Sequence, residues 1–266
     1  MNRRALERAP AASKQRDAVG LAWEQRLQGE GYPAAGDRRF LARFTASPYL
    51  QLLLRYARLA GGSLILEPGC GSGKFSLALA GQGHQVVTLD YVAAVLQSVI
   101  RTEATLANEW PANLMGYCQG SLEQLPFADN TFDLVVNEGV VEHWLADEAR
   151  LAVIQEMVRV ARPHGTVAIL VPNGMHPAMP VWEARLPAFQ TAPPMTHYSG
   201  EKLEQELRQA GLQDIVTDGI YPWRSWLRLW PWRWLYPGGA ALDRWLPLPR
   251  TLRQRWAINL IGMGRK

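Results

Sequence analysis

Several features that would point to a small stapled, secreted or membrane-spanning protein are missing from this 266-residue chain. Its two cysteines, Cys70 and Cys118, are too few for a disulfide framework or a four-cysteine zinc site. No uninterrupted apolar run approaches the roughly 18 residues that cross a bilayer, so no membrane-spanning helix is expected. The opening Met-Asn-Arg-Arg carries charge with no apolar run behind it, which is unlike a secretory signal. Wholesale disorder and coiled-coil composition are excluded too, because 48% of the residues are apolar and 20% charged. A reducing cytoplasm is therefore the expected compartment. The length suits one domain with appendages, and it can bury a core without covalent help.

Acidic residues are scarce at both ends. Residues 222–266 hold one acid, Asp243, against nine Lys and Arg, and residues 1–62 hold five against eleven. The middle, 63–221, reverses the balance with eighteen acids against eight bases. An acidic body between basic ends suggests appendages of separate purpose. The expected organisation is a helical segment over 1–60, a core over 61–220 with a lid at 172–198, a Trp/Arg-rich insertion over 221–255, and a final core strand in 256–266. Leu21, Trp23 and Leu27 recur at helical spacing in the first of these.

Within the core, short apolar runs alternate with longer periodic stretches. Strands are expected at 63–66, 85–89, 114–118, 132–136, 166–171 and near 214–218. Helices are expected at 73–81, 91–107, 147–161 and 199–210, with Pro48 opening an earlier one over 48–60. This alternation indicates an α/β fold with a parallel sheet covered on both faces, whose ligands bind beyond the carboxyl ends of the strands. Trp256–Met263 reads as a strand returning to the sheet edge. The six prolines in 172–197 argue against a helix there and for a functional loop. His164 and His176 read as exposed loop residues.

The strongest local signal is the run Leu64-Ile65-Leu66-Glu67-Pro68-Gly69-Cys70-Gly71-Ser72-Gly73-Lys74-Phe75. A strand enters a turn of alternate glycines and a helix follows. A phosphate-binding P-loop would need Gly at 68 and Ser or Thr at 75; Pro68 and Phe75 stand there. A dinucleotide fingerprint would need Gly at 74, where Lys74 stands. What remains is Glu67-x-Gly69-x-Gly71-x-Gly73. It serves either a bound ligand or close strand–helix packing. Asp90, ending the second strand, suits two roles: acceptor of a pair of ribose hydroxyls, or cap of the following helix.

With these pieces the chain resembles the class I S-adenosylmethionine-dependent methyltransferases, of the small-molecule "type 11" kind. The resemblance extends to Gln119-Gly120-Ser121-Leu122 through Leu125-Pro126-Phe127, to Phe132-Asp133-Leu134-Val135-Val136-Asn137-Glu138-Gly139, and to Arg162-Pro163-His164-Gly165. It implies a Rossmann-like, seven-stranded, mostly parallel sheet whose last strand is antiparallel and inserted near the edge. It implies S-adenosyl-L-methionine as cofactor, held by Glu67, Gly69, Cys70, Gly71, Gly73, Asp90, Tyr91, Ser121, Leu122, Asn137 and Glu138. The family often has an acid where Ser121 stands.

Methyl transfer from a sulfonium depends chiefly on positioning, and a base is needed only if the acceptor loses a proton. The candidates lie in Asn137-Glu138-Gly139-Val140-Val141-Glu142-His143. His143, whose ordinary pKa is near neutral, and Glu138 are the expected catalytic residues. His143 could equally hold its loop to the next helix. Metal-using ubiquinone-biosynthesis O-methyltransferases would have a Glu where Gly139 stands, so no metal is expected. Trp182, His197 and Tyr198 are expected to line an acceptor pocket, together with Phe189 and Met195, or else to anchor the lid.

Residues 221–256 contain seven of the eleven tryptophans and seven arginines. Such a segment suits a lipid–water boundary, a packed cap or subunit contact, or RNA. Its many leucines favour lipid. The expected function is methyl transfer to a small or lipid-like acceptor, with peripheral membrane contact through 222–255. The alternatives are a non-catalytic methyltransferase-like binding protein and an RNA methyltransferase. Nucleic acid is the least expected partner, since an Asn-Pro-Pro-Tyr motif does not follow the fourth strand.

Overall fold

The computed structural model of the chain describes residues 37–112, 114–185, 193–223 and 248–266, with Leu21, Gln25, Ser225, Leu242, Asp243 and Leu246 as isolated positions. The expected N-terminal helix around Trp23 and Leu27, the lid residue Phe189 and most of the Trp/Arg-rich insertion lie outside the described residues.

Seven strands form one sheet: β1 (Leu64–Pro68), β2 (Gln85–Asp90), β3 (Gly116–Gln119), β4 (Phe132–Glu138), β5 (Ala161–Pro172), β6 (Gln213–Ile220) and β7 (Asn259–Arg265). Their order is β3-β2-β1-β4-β5-β7-β6. All neighbours are parallel except β7, which runs antiparallel to both β5 and β6. The seven-stranded α/β architecture is the one the resemblance implies. Strand β7 sits one place inside the sheet and β6 forms the edge, which corrects the reading of the last strand as an edge strand.

The helices follow from local chemistry. In α1 (Arg38–Thr45) and α2 (Pro48–Ala57), Asp37 and Ser47 cap the N-termini by accepting from Phe40 N and Leu50 N. Pro48 occupies the first turn of α2, where its missing N–H is not needed. Helices α3 (Lys74–Ala80), α4 (Ala93–Leu106), α5 (Asp147–Val160) and α7 (Gly200–Gln209) fill the crossovers. Two more helices, α6 (Met179–Arg185) and α8 (Arg250–Trp256), precede α7 and β7 respectively. Helix α6 corrects the expectation of an irregular lid: its Pro180 lies in the first turn, where proline is tolerated.

Strand alternation sorts the core into two layers. Ile65, Leu134, Val136, Ala168 and Leu170 pack with α1–α4, whereas Leu66, Val135, Val167, Ile169 and Val171 pack with α5 and α7. Each fully buried aliphatic side chain contributes about 1.5–3 kcal/mol relative to exposure. Strand β5 begins earlier than expected because Ala161 pairs with Phe132 before a register shift restores Leu134 opposite Thr166. The sheet order reverses direction at β1, whose neighbours are β2 and β4. The carboxyl ends of these three strands therefore border the crevice where such sheets take ligands.

Candidate active site

The turn after β1 is built from left-handed glycines. Gly69, Gly71 and Gly73 have φ of 71°, 51° and 70°. The backbone N–H groups of Gly69 and Cys70 both donate to the Leu89 carbonyl, at 2.7 and 3.0 Å, which binds the turn to the end of β2. A Cβ on Gly69 would lie 2.6 Å from Val140, and one on Gly73 would lie 2.7 Å from Val99. These two glycines thus serve close packing within the chain as well as the turn itself.

Asp90 closes the same corner. Its Oδ2 accepts from Gly71 N at 3.2 Å and from the Cys70 thiol at 3.9 Å, and its Oδ1 accepts from Val92 N at 3.0 Å. Burial pushes its carboxyl up to about 6 against these donors. The expected helix cap is not formed by Asp90: Val92 is the cap residue of α4. Glu67, also buried, accepts from Ser76 N at 2.8 Å and from the Ser76 hydroxyl. Burial pushes Glu67 up to about 8, opposed by the Ser76 bonds. The carbonyl of Tyr91 accepts from Gln119 Nε2 at 3.2 Å, joining the β2 and β3 ends. Ser121 Oγ accepts from Glu123 N at 3.2 Å, and Leu122 is buried beside it. The Ser121 hydroxyl hydrogen remains available to donate.

The end of β4 is organised differently. Asn137 is fully buried and donates from Nδ2 to the Pro68 carbonyl at 2.7 Å, while its Oδ1 has no partner among the described residues. Glu138 pairs with Lys74 at 2.6 Å and is hydrogen-bonded by Tyr49. Lys74 also lies 5.6 Å from the Phe44 ring centroid, and Phe44 and Tyr49 pack on Phe75 at 5.0 and 5.4 Å. Helices α1 and α2 therefore reach the site through an aromatic cluster. Nothing in the sequence marks Tyr49 as a site residue, and Lys74 stands out there only as a departure from another motif.

A short 3₁₀ turn, Val141–His143, follows β4. Glu142 is buried, and its Oε2 has no partner among the described residues. The backbone N–H groups of Val140 and of Glu142 itself act on its carboxyl and oppose a rise in pKa. Burial, with the nearby Glu138 charge, pushes the Glu142 carboxyl up to about 8. The ring Nδ1 of His143 lies 3.1 Å from the Pro194 carbonyl, a contact between the turn and the segment before α7. Glu138 and His143, the expected catalytic residues, are thus engaged with Lys74 and with Pro194.

Thr196 and Tyr198 join a buried ionic network around Arg150. Arg150 is fully buried. It donates to Glu206 at 2.6 and 3.0 Å, to the Trp144 carbonyl at 2.6 Å, to Thr196 Oγ1 at 3.0 Å, and to Asp147. The Tyr198 hydroxyl donates to Glu206 at 2.6 Å. Tyr198 is fully buried, its ring 5.7 Å from the Arg150 guanidinium. His197 is exposed and lies 3.0 Å from Glu183. The side chain of Trp182 lies outside the described residues. His164 is exposed, as expected, whereas His176 is not. The His176 ring is buried, accepts from Ala178 N at 3.1 Å, and is pushed down to about 4 by burial. Among the described residues no cluster of three metal-ligating side chains occurs.

The arrangement offers acceptors at the β2 end and a glycine turn of close backbone approach. It also offers unsatisfied acceptors at the β4 end. These features fit a ligand with paired hydroxyls and a cationic or proton-bearing centre. A methyltransferase-domain family matches residues 66–169. A probable S-adenosylmethionine-dependent methyltransferase of Mycolicibacterium smegmatis is 30% identical over 167 residues, 63% of this chain and 58% of that protein. The chain spans about half the length of the curated relatives it matches. A SAM-dependent methyltransferase from Archaeoglobus fulgidus has the same fold, with a TM-score of 0.58 at 15% identity over 88% of this chain and 96% of that one. A chain from the complex of the Haloferax volcanii Trm112 methyltransferase activator with a methyltransferase gives 0.54 at 18% identity, covering 94% and 95%. Both the Mycolicibacterium smegmatis relative and the Archaeoglobus fulgidus structure are named as S-adenosylmethionine-dependent. Residues 66–169 match a methyltransferase-domain family, and the chain is similar to S-adenosylmethionine-dependent methyltransferases in sequence over that part and in fold.

Proposed function

We propose that the chain transfers a methyl group from S-adenosyl-L-methionine to a small or lipid-like acceptor. The observation that carries this reading is Asp90, a buried carboxylate oriented by backbone donors over the glycine turn. Its weakest donor is the Cys70 thiol, which a ribose hydroxyl would replace. In this reading Gly71 lets the backbone approach the ligand, and Ser121 and Leu122 lie beside the adenine. Asn137 Oδ1 and the Lys74–Glu138 pair face the amino-acid end. Glu67 acts through Ser76, fixing the start of α3. The cofactor, when bound, supplies a methyl carbon already activated by a sulfonium. The chain's own residues orient it and exclude water.

Calorimetry with S-adenosylmethionine and S-adenosylhomocysteine tests this reading. Binding that weakens by about 100-fold in Asp90→Ala supports it, and so does conversion of the first to the second during turnover. Binding without turnover against any acceptor would favour a non-catalytic relative.

Contact with a lipid surface is favoured by a second observation. Leu145, Met175, Val181, Leu242 and Leu246 are large apolar residues left exposed, and they fall in the site loop, the lid and the insertion. Trp223, in the insertion, packs on the Trp256 ring at 6.1 Å, and its Nε1 donates to the Leu246 carbonyl at 2.9 Å. No helix among the described residues is long and apolar enough to cross a membrane. Sedimentation with anionic vesicles, lost on deleting residues 222–255, is the expected result. Salt-sensitive binding to RNA instead would replace this reading.

A further inference from the structure

Residues 254–258, where α8 passes into β7, are held by two segments from different parts of the chain. One is the stretch that follows β5. Asn173 is fully buried, and its Nδ2 donates to the Gln254 and Ala257 carbonyls at 2.6 and 2.7 Å. Its backbone N–H donates to the Ile258 carbonyl at 2.8 Å. The other segment is the start of the Trp/Arg-rich insertion. Ser225 Oγ accepts from Ile258 N at 3.0 Å, and the Trp223 ring packs on Trp256 at 6.1 Å. Backbone groups of this junction are thus satisfied by side chains of both segments, so neither can withdraw without leaving polar groups unpaired.

Each segment reaches beyond the junction. In the insertion, Trp223 N donates to Asp243 Oδ1 at 2.8 Å and Trp223 Nε1 to the Leu246 carbonyl at 2.9 Å, beside the exposed Leu242 and Leu246. After Asn173, Gly174 N donates to the Tyr198 carbonyl at 2.9 Å. A Cβ on Gly174 would lie 2.5 Å from His197 Cβ, so this contact needs glycine. Two residues before Tyr198, Thr196 N donates to the Glu142 carbonyl at 2.7 Å, in the turn after β4. A continuous path of bonds therefore joins the insertion to the end of β4. Its insertion end is strained. Tyr221 has φ of 58°, which a bulky side chain adopts only where its surroundings impose it. Ser225 imposes it, donating to the Tyr221 carbonyl from N at 3.0 Å and from Oγ at 2.7 Å.

We propose that this junction is a latch through which contact of the insertion with an anionic lipid surface holds the segment before α7 against the turn after β4. This rests on the lipid-surface reading above. Charge selects the occupant: residues 222–266 hold nine Lys and Arg against one acid, and Arg250 and Arg255 on α8 are exposed. With the insertion pinned by the surface, Ser225 stays on Ile258 N and Asn173 keeps its carbonyls. Away from the surface, Ser225 leaves more often as Tyr221 relaxes, and the bonds of Gly174 and Thr196 open with it. The coupling is reciprocal, so order at these two amides reports occupancy of the insertion.

The test reads amide hydrogen exchange at Gly174 and Thr196 in the full chain, in solution and on phosphatidylglycerol vesicles, with sedimentation measuring the bound fraction. On the vesicles, exchange at both amides of the wild type should slow by about 10-fold. Ser225→Ala should sediment like the wild type, yet its exchange should slow by less than about twofold. Exchange at Val135, within β4, should be the same in both proteins, which separates release of the latch from general loss of stability. Leu242→Glu combined with Leu246→Glu changes only exposed positions. This protein should neither sediment nor show the slowing, and it decides the matter if Ser225→Ala does not fold. Sedimentation of the wild type with unchanged exchange at Gly174 and Thr196 overturns the latch and leaves the lipid reading standing. So does full slowing in Ser225→Ala, or slowing that persists in the double variant. Absence of wild-type sedimentation overturns the lipid reading, and the latch with it.

Discussion

The two sides of the crevice differ in how far their polar groups are satisfied. On the β1–β2 side, Asp90 and Glu67 are each held by donors from the same chain, Gly71 and Val92 for one and Ser76 for the other. On the β4 side, Asn137 Oδ1 and Glu142 Oε2 lack partners among the described residues. The carboxylates of the first side are oriented by the chain's own donors. The second leaves two buried acceptors without donors among the described residues. Preorganisation on one side and open valence on the other suit a domain with a constant cofactor and a separate acceptor.

The largest test of this contrast addresses what holds the β4 side in place. Arg150→Met leaves Glu206 and Asp147 without their buried partner and should cost about 3–5 kcal/mol in chemical denaturation. It should also speed hydrogen exchange at Thr196 N, which bonds to Glu142. If exchange at Thr196 is unchanged, the network does not hold the lid.

On the β1–β2 side, Asp90→Ala should raise the dissociation constant for S-adenosylmethionine by about 100-fold in calorimetry, since it removes a charged acceptor. Gly69→Ala should lower stability by about 2 kcal/mol, because its φ is positive and its Cβ would meet Val140. Adding Val140→Ala should relieve the clash but not the backbone strain, a difference that a double-mutant cycle reads directly.

The pH dependence discriminates less sharply. Glu67 and Glu142 are both pushed up to about 8, above an ordinary carboxyl near 4.5. The folded state therefore binds more protons than the unfolded chain between these values. The stabilising contribution is complete below about pH 4.5 and is lost as pH rises to about 8. The slope is at most about 1.4 kcal/mol per pH unit for each carboxyl. Denaturation midpoints measured across this range should fall, and Glu142→Gln should flatten the fall. The smallest effect expected is that of His143→Ala, under about 1 kcal/mol in stability with cofactor affinity unchanged, because it removes one half-exposed anchoring contact.

Much of this architecture is legible where signals are local. The glycine turn, Asp90 at the end of β2 and the alternation of β4 are written in consecutive residues, and their elements appear where expected. What escapes a linear reading is non-local. Glu206 meets Arg150 across 56 positions, and Tyr49 on α2 meets Glu138 at the end of β4. Neither pair has a spacing that marks it. His176 reads as a loop residue from its glycine and proline neighbours, yet its ring turns inward to accept from Ala178. Helix α6 escapes because proline reads as a breaker regardless of where in a turn it falls. Glu142 is visible in the sequence as a candidate base, but its burial is not, so the ordinary pKa of His143 gives that residue more weight.

The placement of β7 has a consequence for the chain as it leaves the ribosome. Strand β6 ends at Ile220, and its neighbour in the sheet begins at Asn259. At translation rates of about 5–20 residues per second, the ribosome takes roughly 2–8 seconds to make the stretch between them. During that interval β6 waits for the strand it pairs with, and β5 presents an open edge to the same side. Both edges are apolar-backed and competent to recruit a foreign strand. A nascent chain paused within the Trp/Arg-rich stretch would prolong that exposure, and a chaperone or a surface that occupied the stretch would shorten the search for β7.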